Sequence, residues 1–350
     1  MPTRDSLKPM SWPPNIATWQ RPLRLFQQQA GHPPRGLRSQ TRQVARIGYL
    51  TSGKQGGAFD TFRIFRDGLL RIGYVEGQSV VFEVRYGEGQ VDQLASLAAE
   101  LLHLDLDVIA LSSALALRAA KQAGARIPIV FAVVPSPAAV IEMGFAASVE
   151  HPGGNVTGIS SFDPIQATKS FAILKQVLPS LHSVAILSDQ DIPHSATDPG
   201  WNPLERNYDR AARAAGLEPL VLRIKGPTPD LGAAFDAMRE HKVEALRVLE
   251  VPAPLFHLDR IAELAKAHRL PTMFPGGYPN SGGLISYGTS IFDAVREMPI
   301  YVDKILRGAN PGDLPILTSS EGEMLINLAT AEQIGIRVPD EVIKRANRVL

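Results

Sequence analysis

The stretch "GYLTSGKQGG" (48–57) comes within one residue of a nucleotide-binding loop. Gly48, the four spacers after it, Gly53 and Lys54 fit, but Gln55 stands where a Ser or Thr hydroxyl would hold magnesium. Gly48 also lies inside the apolar run "RIGYL", so the turn begins only near Thr51. No apolar strand ending in a magnesium-binding Asp accompanies it. Nucleotide hydrolysis is therefore disfavoured. What remains is either a plain Gly-rich turn or a strand end whose Thr51 and Ser52 face a ligand crevice, since parallel sheets bind ligands beyond their carboxyl ends.

Other strand ends carry polar side chains in the same position. Ser112 and Ser113 close one apolar run and open a helix, where hydroxyls and free N–H groups suit a carboxylate; a simple N-cap explains them equally. Ser136 in "VVPSPA" is a ligand contact or a cap. Asp189, within "SDQD" (188–191), and Glu250 follow two later runs. Acids there can receive an ammonium group or sit solvated in loops. Arg247, inside an apolar run, is either paired at a cleft or on an exposed strand face.

Catalytic constellations do not assemble. There is no G-x-S-x-G elbow, no H-E-x-x-H and no G-x-G-x-x-G after a strand. His182, His194, His241, His257 and His268 lack ligand spacing, and the chain has no cysteine, so no metal site, disulfide or cofactor is expected. "NVT" (155–157) matches a glycosylation sequon, but the Gly-Gly turn before it and the strand after it account for it.

The elements that position these residues alternate. Strands are expected at 46–50, 79–86, 106–111, 127–133, 156–160, 183–187, 218–224, 244–249 and 270–274. Helices follow: one through 58–73 with Gly73 as its stop, 92–104 capped by Asp92, 114–122, one opened by Asp163 and Pro164, 204–215, 230–240 and 255–268. About ten strands are too many for one doubly wound half and fit two. Later come a strand in 282–288, a long helix at 291–308 with a kink expected at Pro299, strands in "PILTSS" and "EMLINLA", and short terminal helices. Such segments suit a chain that crosses back between two lobes.

With 45% apolar and 20% charged residues the chain can bury a real core, and a net charge of +1 offers no broad surface for nucleic acid. Residues 1–44 are rich in Arg, Gln and Pro and aperiodic, and read as a flexible extension. No export signal or membrane span is visible in the sequence.

The segments "RIGYLTSG", "FRDGLLRIGYVEGQSVVFEVRYGEGQVDQLASLAAELL", "IPIVFAVVPSP", "HPGGNVTGIS", "GGLISYG", "YVDKILRGANPGDLPI" and "LINLATAEQIGI" occur in this order. They resemble substrate-binding proteins of bacterial ABC transporters, in the group related to tryptophan- and tyrosine-binding proteins, from about Arg46 to the C-terminus. The resemblance implies an α/β type I periplasmic binding-protein fold: two Rossmann-like lobes with parallel sheets joined by a three-segment hinge. It implies lobe 1 at 45–157 plus 286–313 and lobe 2 at 158–285 plus 314–350. It implies a non-enzymatic solute-binding component of an importer, a monomer working with a membrane permease on the periplasmic side. Thr51, Ser52, Ser112, Ser113 and Ser136 would then hold a small organic ligand from the first lobe. Asp189, Glu250, Tyr278 and Tyr287 would close on it from the second lobe and hinge, with the tyrosines stacking on a planar group. Departures fall at strand ends: Ser136 stands where the family often carries Asp, and "SDQDIPHSATDPGWNP" is longer than usual. The alternatives are a cytosolic small-molecule sensor of the same fold, for which residues 1–44 supply no helix-turn-helix, and a Rossmann-type enzyme.

Overall fold

The computed structural model describes residues 44–350, apart from 58–59, 135, 162–163, 196–197, 199, 279–280 and 319–321. The expectations for residues 1–43 and for the Asp163 cap lie outside the described residues. Thirteen strands are present among the rest: β1 (Ala45–Thr51), β2 (Val80–Tyr86), β3 (Val108–Leu111), β4 (Ile129–Ala132), β5 (Val156–Ser160), β6 (Ser183–Asp189), β7 (Glu218–Ile224), β8 (Ala245–Val248), β9 (Thr272–Pro275), β10 (Ile285–Gly288), β11 (Leu317–Thr318), β12 (Glu323–Ile326) and β13 (Arg348–Val349). They form two sheets.

The first sheet runs β11-β5-β4-β3-β1-β2, with every pairing parallel. The second runs β13-β12-β10-β9-β8-β6-β7, parallel except where β10 meets β12. Central strands such as β3 (VIAL) and β4 (IVFA) are buried throughout, as continuous apolar runs covered by helices on both faces should be. The near-phosphate loop is settled by packing. Gly48 is mid-strand in β1, where a Cβ would come within 2.6 Å of Leu106 Cδ1, so the glycine serves close packing rather than a turn.

Among the described residues the chain passes between the sheets three times: between β5 and the helix Pro164–Val177, between β10 and the helix Ile291–Leu306, and between β11 and β12. The boundaries expected at 157/158 and 285/286 cut through β5 and β10, and the one expected at 313/314 comes before β11, which still pairs in the first sheet. Each crossing therefore falls later than the resemblance implied, because ladder pairing carries the strand to its end. Gly288 closes β10 at φ 139°, and a Cβ there would come within 2.1 Å of Gln166 Nε2. The first two crossings thus pack tightly against each other.

Other differences have local causes. The expected helix 255–268 is two pieces, Pro252–Leu255 and Leu258–Ala267, with His257 between them. The helix expected from Asp92 starts at Leu94, and Asp92 sits in a 3₁₀ turn without capping it. Pro299 stays inside the helix Ile291–Leu306, and a Cβ on Gly68 would come within 2.7 Å of its Cγ. The small residue lets the two helices approach at the proline.

Candidate functional site

A hollow with about 600 Å³ of empty space, solvent at its mouth included, lies where loops from the two sheets meet. Its first-sheet wall is built from strand ends. β1 delivers Thr51 and Ser52, β3 delivers Ser112 and Ser113, β5 delivers Ser161, and the helix Thr61–Arg71 begins with Thr61. All six are buried. The opposite wall is apolar: Ile192 from the loop after β6, and Val251, Pro252, Leu255 and Phe256 after β8.

Local sequence explains the polar wall. Ser113 has extended backbone, and its Oγ accepts from Ala116 N at 3.1 Å, which caps the helix Ala114–Gln122. Thr61 Oγ1 donates to Ser112 Oγ at 3.0 Å, and Thr51 Oγ1 accepts from Gly53 N at 3.0 Å. In the turn beyond, Gln55 N donates to Glu88 Oε1 at 3.2 Å and Gly56 N to Asp60 Oδ2 at 3.0 Å. Carboxylates thus occupy N–H groups that a phosphate-binding loop would present to its ligand.

Glu250 lines the hollow where the apolar wall meets the crossings. Its Oε2 accepts from Arg247 Nη2 at 3.0 Å and its Oε1 from Gln166 Nε2 at 3.2 Å. Arg247 is fully buried; it also donates to Met273 O at 3.3 Å and to the Tyr208 hydroxyl, and its guanidinium lies 4.7 Å from the Tyr208 ring centre. Of the two alternatives for Arg247, it is therefore paired, not on an exposed strand face. Gln166 Oε1 in turn accepts from Thr289 N at 3.1 Å, and the Thr289 hydroxyl donates to Ser161 O. One hydrogen-bonded chain thus runs from β8 through the first two crossings to the hollow's first wall. Burial pushes the Glu250 carboxyl up, and the Arg247 charge pulls it back.

Thr51, Ser52, Ser112, Ser113 and Glu250 are brought together at the hollow; the other four expected contacts are placed elsewhere. Ser136 caps the helix Pro137–Glu142, with Oγ accepting from Ala139 N at 3.1 Å. Asp189, 1% exposed, accepts from Asp191 N and Ala253 N, both at 2.9 Å, and so fixes the turn that carries Pro252. Burial raises its carboxyl to about 6, against those two hydrogen bonds. Tyr278 packs 5.8 Å from the Phe292 ring, and burial, with Glu250 adding to it, holds its hydroxyl well above the ordinary range. Tyr287 is part of β10 and belongs to the core. Sequence reasoning missed Thr61, Ser161 and the apolar wall. Ser161 was within reach, since it directly follows β5; Leu255 and Phe256 were hidden inside a helix drawn too long.

The two sides touch around the hollow. A Cβ on Gly89, after β2, would lie 3.5 Å from Pro227 Cβ and 3.8 Å from the Phe256 ring, both on the second-sheet side. Arg206, in the helix Pro203–Ala214, pairs with Glu142 from the first-sheet side and with Asp198 at 3.5 Å.

Three comparisons bear on this arrangement. The family model described as ABC transporter substrate binding protein matches residues 56–350. A tyrosine-binding protein of Clostridioides difficile is 22% identical over 269 residues, 76% of this chain and 73% of that protein. Among solved structures, a conserved domain protein from Vibrio cholerae superposes with a TM-score of 0.78 at 23% identity, covering 88% of this chain and 100% of that one. An ABC domain from Streptococcus pneumonia in complex with L-Trp gives 0.75 at 22%, with the same coverage. A ligand-free, open substrate binding protein with adhesive properties from Clostridium difficile gives 0.60 at 19%, covering 87% and 99%.

Proposed function

The chain belongs to the ABC transporter substrate binding protein family, and on that footing we propose that it is the solute-binding component of an importer, trapping a small organic ligand between two lobes by hinge closure. The carrying observation is the hollow lined from both sheets, hydroxyls on one side and apolar side chains on the other. Each sheet with its helices is one moving body, and the three crossings are the hinge. The work is closure, not bond chemistry, and the closed pair is delivered to a membrane permease. Among the described residues no helix is long and apolar enough to cross a membrane.

The contacts across the hollow support a closed form. The names of these relatives put aromatic amino acids and related aromatic solutes first among compounds to try. A dissociation constant of about 1 μM or below is expected of a site that encloses its ligand. The test is a thermal-shift screen of amino acids, aromatic acids, nucleosides and sugars. At about 100 times its dissociation constant a ligand adds ~2.7 kcal/mol to stability, which moves the melting temperature by several degrees. No shift with any class would refute the reading.

A further inference from the structure

The serine-rich wall of the hollow is built to donate hydrogen bonds. Ser52 and Ser161 are 6% and 3% exposed, both line the hollow, and neither hydroxyl has a hydrogen-bond partner among the described residues. The other hydroxyl oxygens there are already accepting: Thr51 from Gly53 N, Ser112 from Thr61, and Ser113 from Ala116 N. Each of these has an O–H left to give and a single lone pair left to accept with. Ala114, which opens the nine-residue helix behind Ser113, also lines the hollow, and N–H groups in a first helical turn have no carbonyl partner within the helix. Acceptor capacity for a cation is short by comparison. Glu250 has Oε1 taken by Gln166 and Oε2 by Arg247, whose buried charge already opposes its own.

We propose that the hollow takes an apolar organic acid, with its carboxylate against Ser52, Ser113, Ser161 and the start of the helix Ala114–Gln122, its body against Leu255 and Phe256, and no ammonium group. The proposal rests on the reading of the hollow as the solute site. A carboxylate only accepts, so neutral O–H groups and a helix N-terminus suit it on every side. An ammonium brings three donors; the N–H groups at the helix start cannot accept them, the serine hydroxyls offer it only neutral lone pairs, and each donor left unpaired carries its full desolvation cost. An α-amino acid brings both groups and loses part of what its carboxylate gains.

Calorimetric titration with two matched trios tests this. Hydrocinnamate, phenylalanine and phenethylamine share an aromatic body; isocaproate, leucine and isoamylamine share a branched aliphatic one. In at least one trio the acid should bind, the amino acid should be at least about 10-fold weaker, and the amine should show no heat. An amino acid that binds as tightly as its acid, or a binding amine, overturns the proposal and leaves the solute-binding reading intact. So does silence from all six when another solute binds; silence from every solute class overturns both. Ser52→Ala and Ser161→Ala remove hydroxyls that hold nothing else. Each should weaken the acid by about 10-fold without moving the melting temperature of the ligand-free protein. Unchanged affinity in both would overturn the placement of the carboxylate.

Discussion

Arg247 is the residue on which the second-sheet side of the hollow turns. It is a full charge with no exposure, held by Glu250, Tyr208 and a carbonyl, and Glu250 is held in turn by Gln166. Removing one member of a buried pair strands the other. Arg247→Met should therefore lower stability by about 3–5 kcal/mol in urea unfolding, with part of the loss recovered when Glu250→Gln is added. A loss under about 1 kcal/mol would mean that the pair is solvated. Asp189 offers a different handle. Burial raises its carboxyl from 3.8 to about 6, so the folded chain binds this proton more tightly than the unfolded one. Its contribution to stability is then full below 3.8 and declines as pH rises through 6, a change on the order of 3 kcal/mol. Asp189→Asn cannot titrate, so the stability of the wild type relative to the variant should grow as pH falls across that window. A difference independent of pH there would contradict the assignment. The serine caps could be read from the sequence because capping is local; the partners of Arg247 could not, since they lie on other strands and helices.

At the scale of elements, strand ends do the positioning, and local pattern was enough where an element is bounded by its own turns. The strands 156–160 and 218–224 and the helix 114–122 were placed by periodicity and flanking turns alone, and the structure gives the same bounds. The misplaced features depend on distant segments. Pro252–Leu255 is a short helix of its own, and Asp189, from another strand, holds its Ala253 N. β13 exists only by pairing with β12, and two residues carry no period to read. The crossings are of this kind too. Gly288, at φ 139° with Gln166 within 2.1 Å of a would-be Cβ, joins β10 to the long helix in a conformation that favours glycine. Gly288→Ala should cost at least about 2 kcal/mol and weaken solute binding, because Gln166 has to leave Glu250 and Thr289. Urea unfolding and a binding titration on one preparation read both effects. An alanine variant with wild-type stability would show that this crossing has room to spare.

At the largest scale, residues 44–350 form two wrapped sheets and a hollow between their loops, and their behaviour depends on how the two sides come together. Glu142 and Arg206 form an ion pair across that divide, half-exposed on the Glu142 side. A pair of this kind is worth up to about 1 kcal/mol, so Glu142→Ala should weaken solute affinity by no more than about 5-fold by making closure less favourable. Small-angle scattering should show the ligand-free variant slightly more extended than the wild type, and saturating solute should remove the difference. The two-lobe plan was legible from the alternation of elements, whereas the apolar wall of the hollow was not, because it forms only when segments far apart in sequence meet. The most direct measurement of the central claim is thermal unfolding of the wild type and of Ser52→Trp across one solute library. The account predicts that at least one small organic solute raises the wild-type melting temperature by several degrees and leaves the tryptophan variant unmoved, since the indole fills the hollow without disturbing either sheet. A shift that survives in Ser52→Trp would place the solute somewhere other than between the lobes.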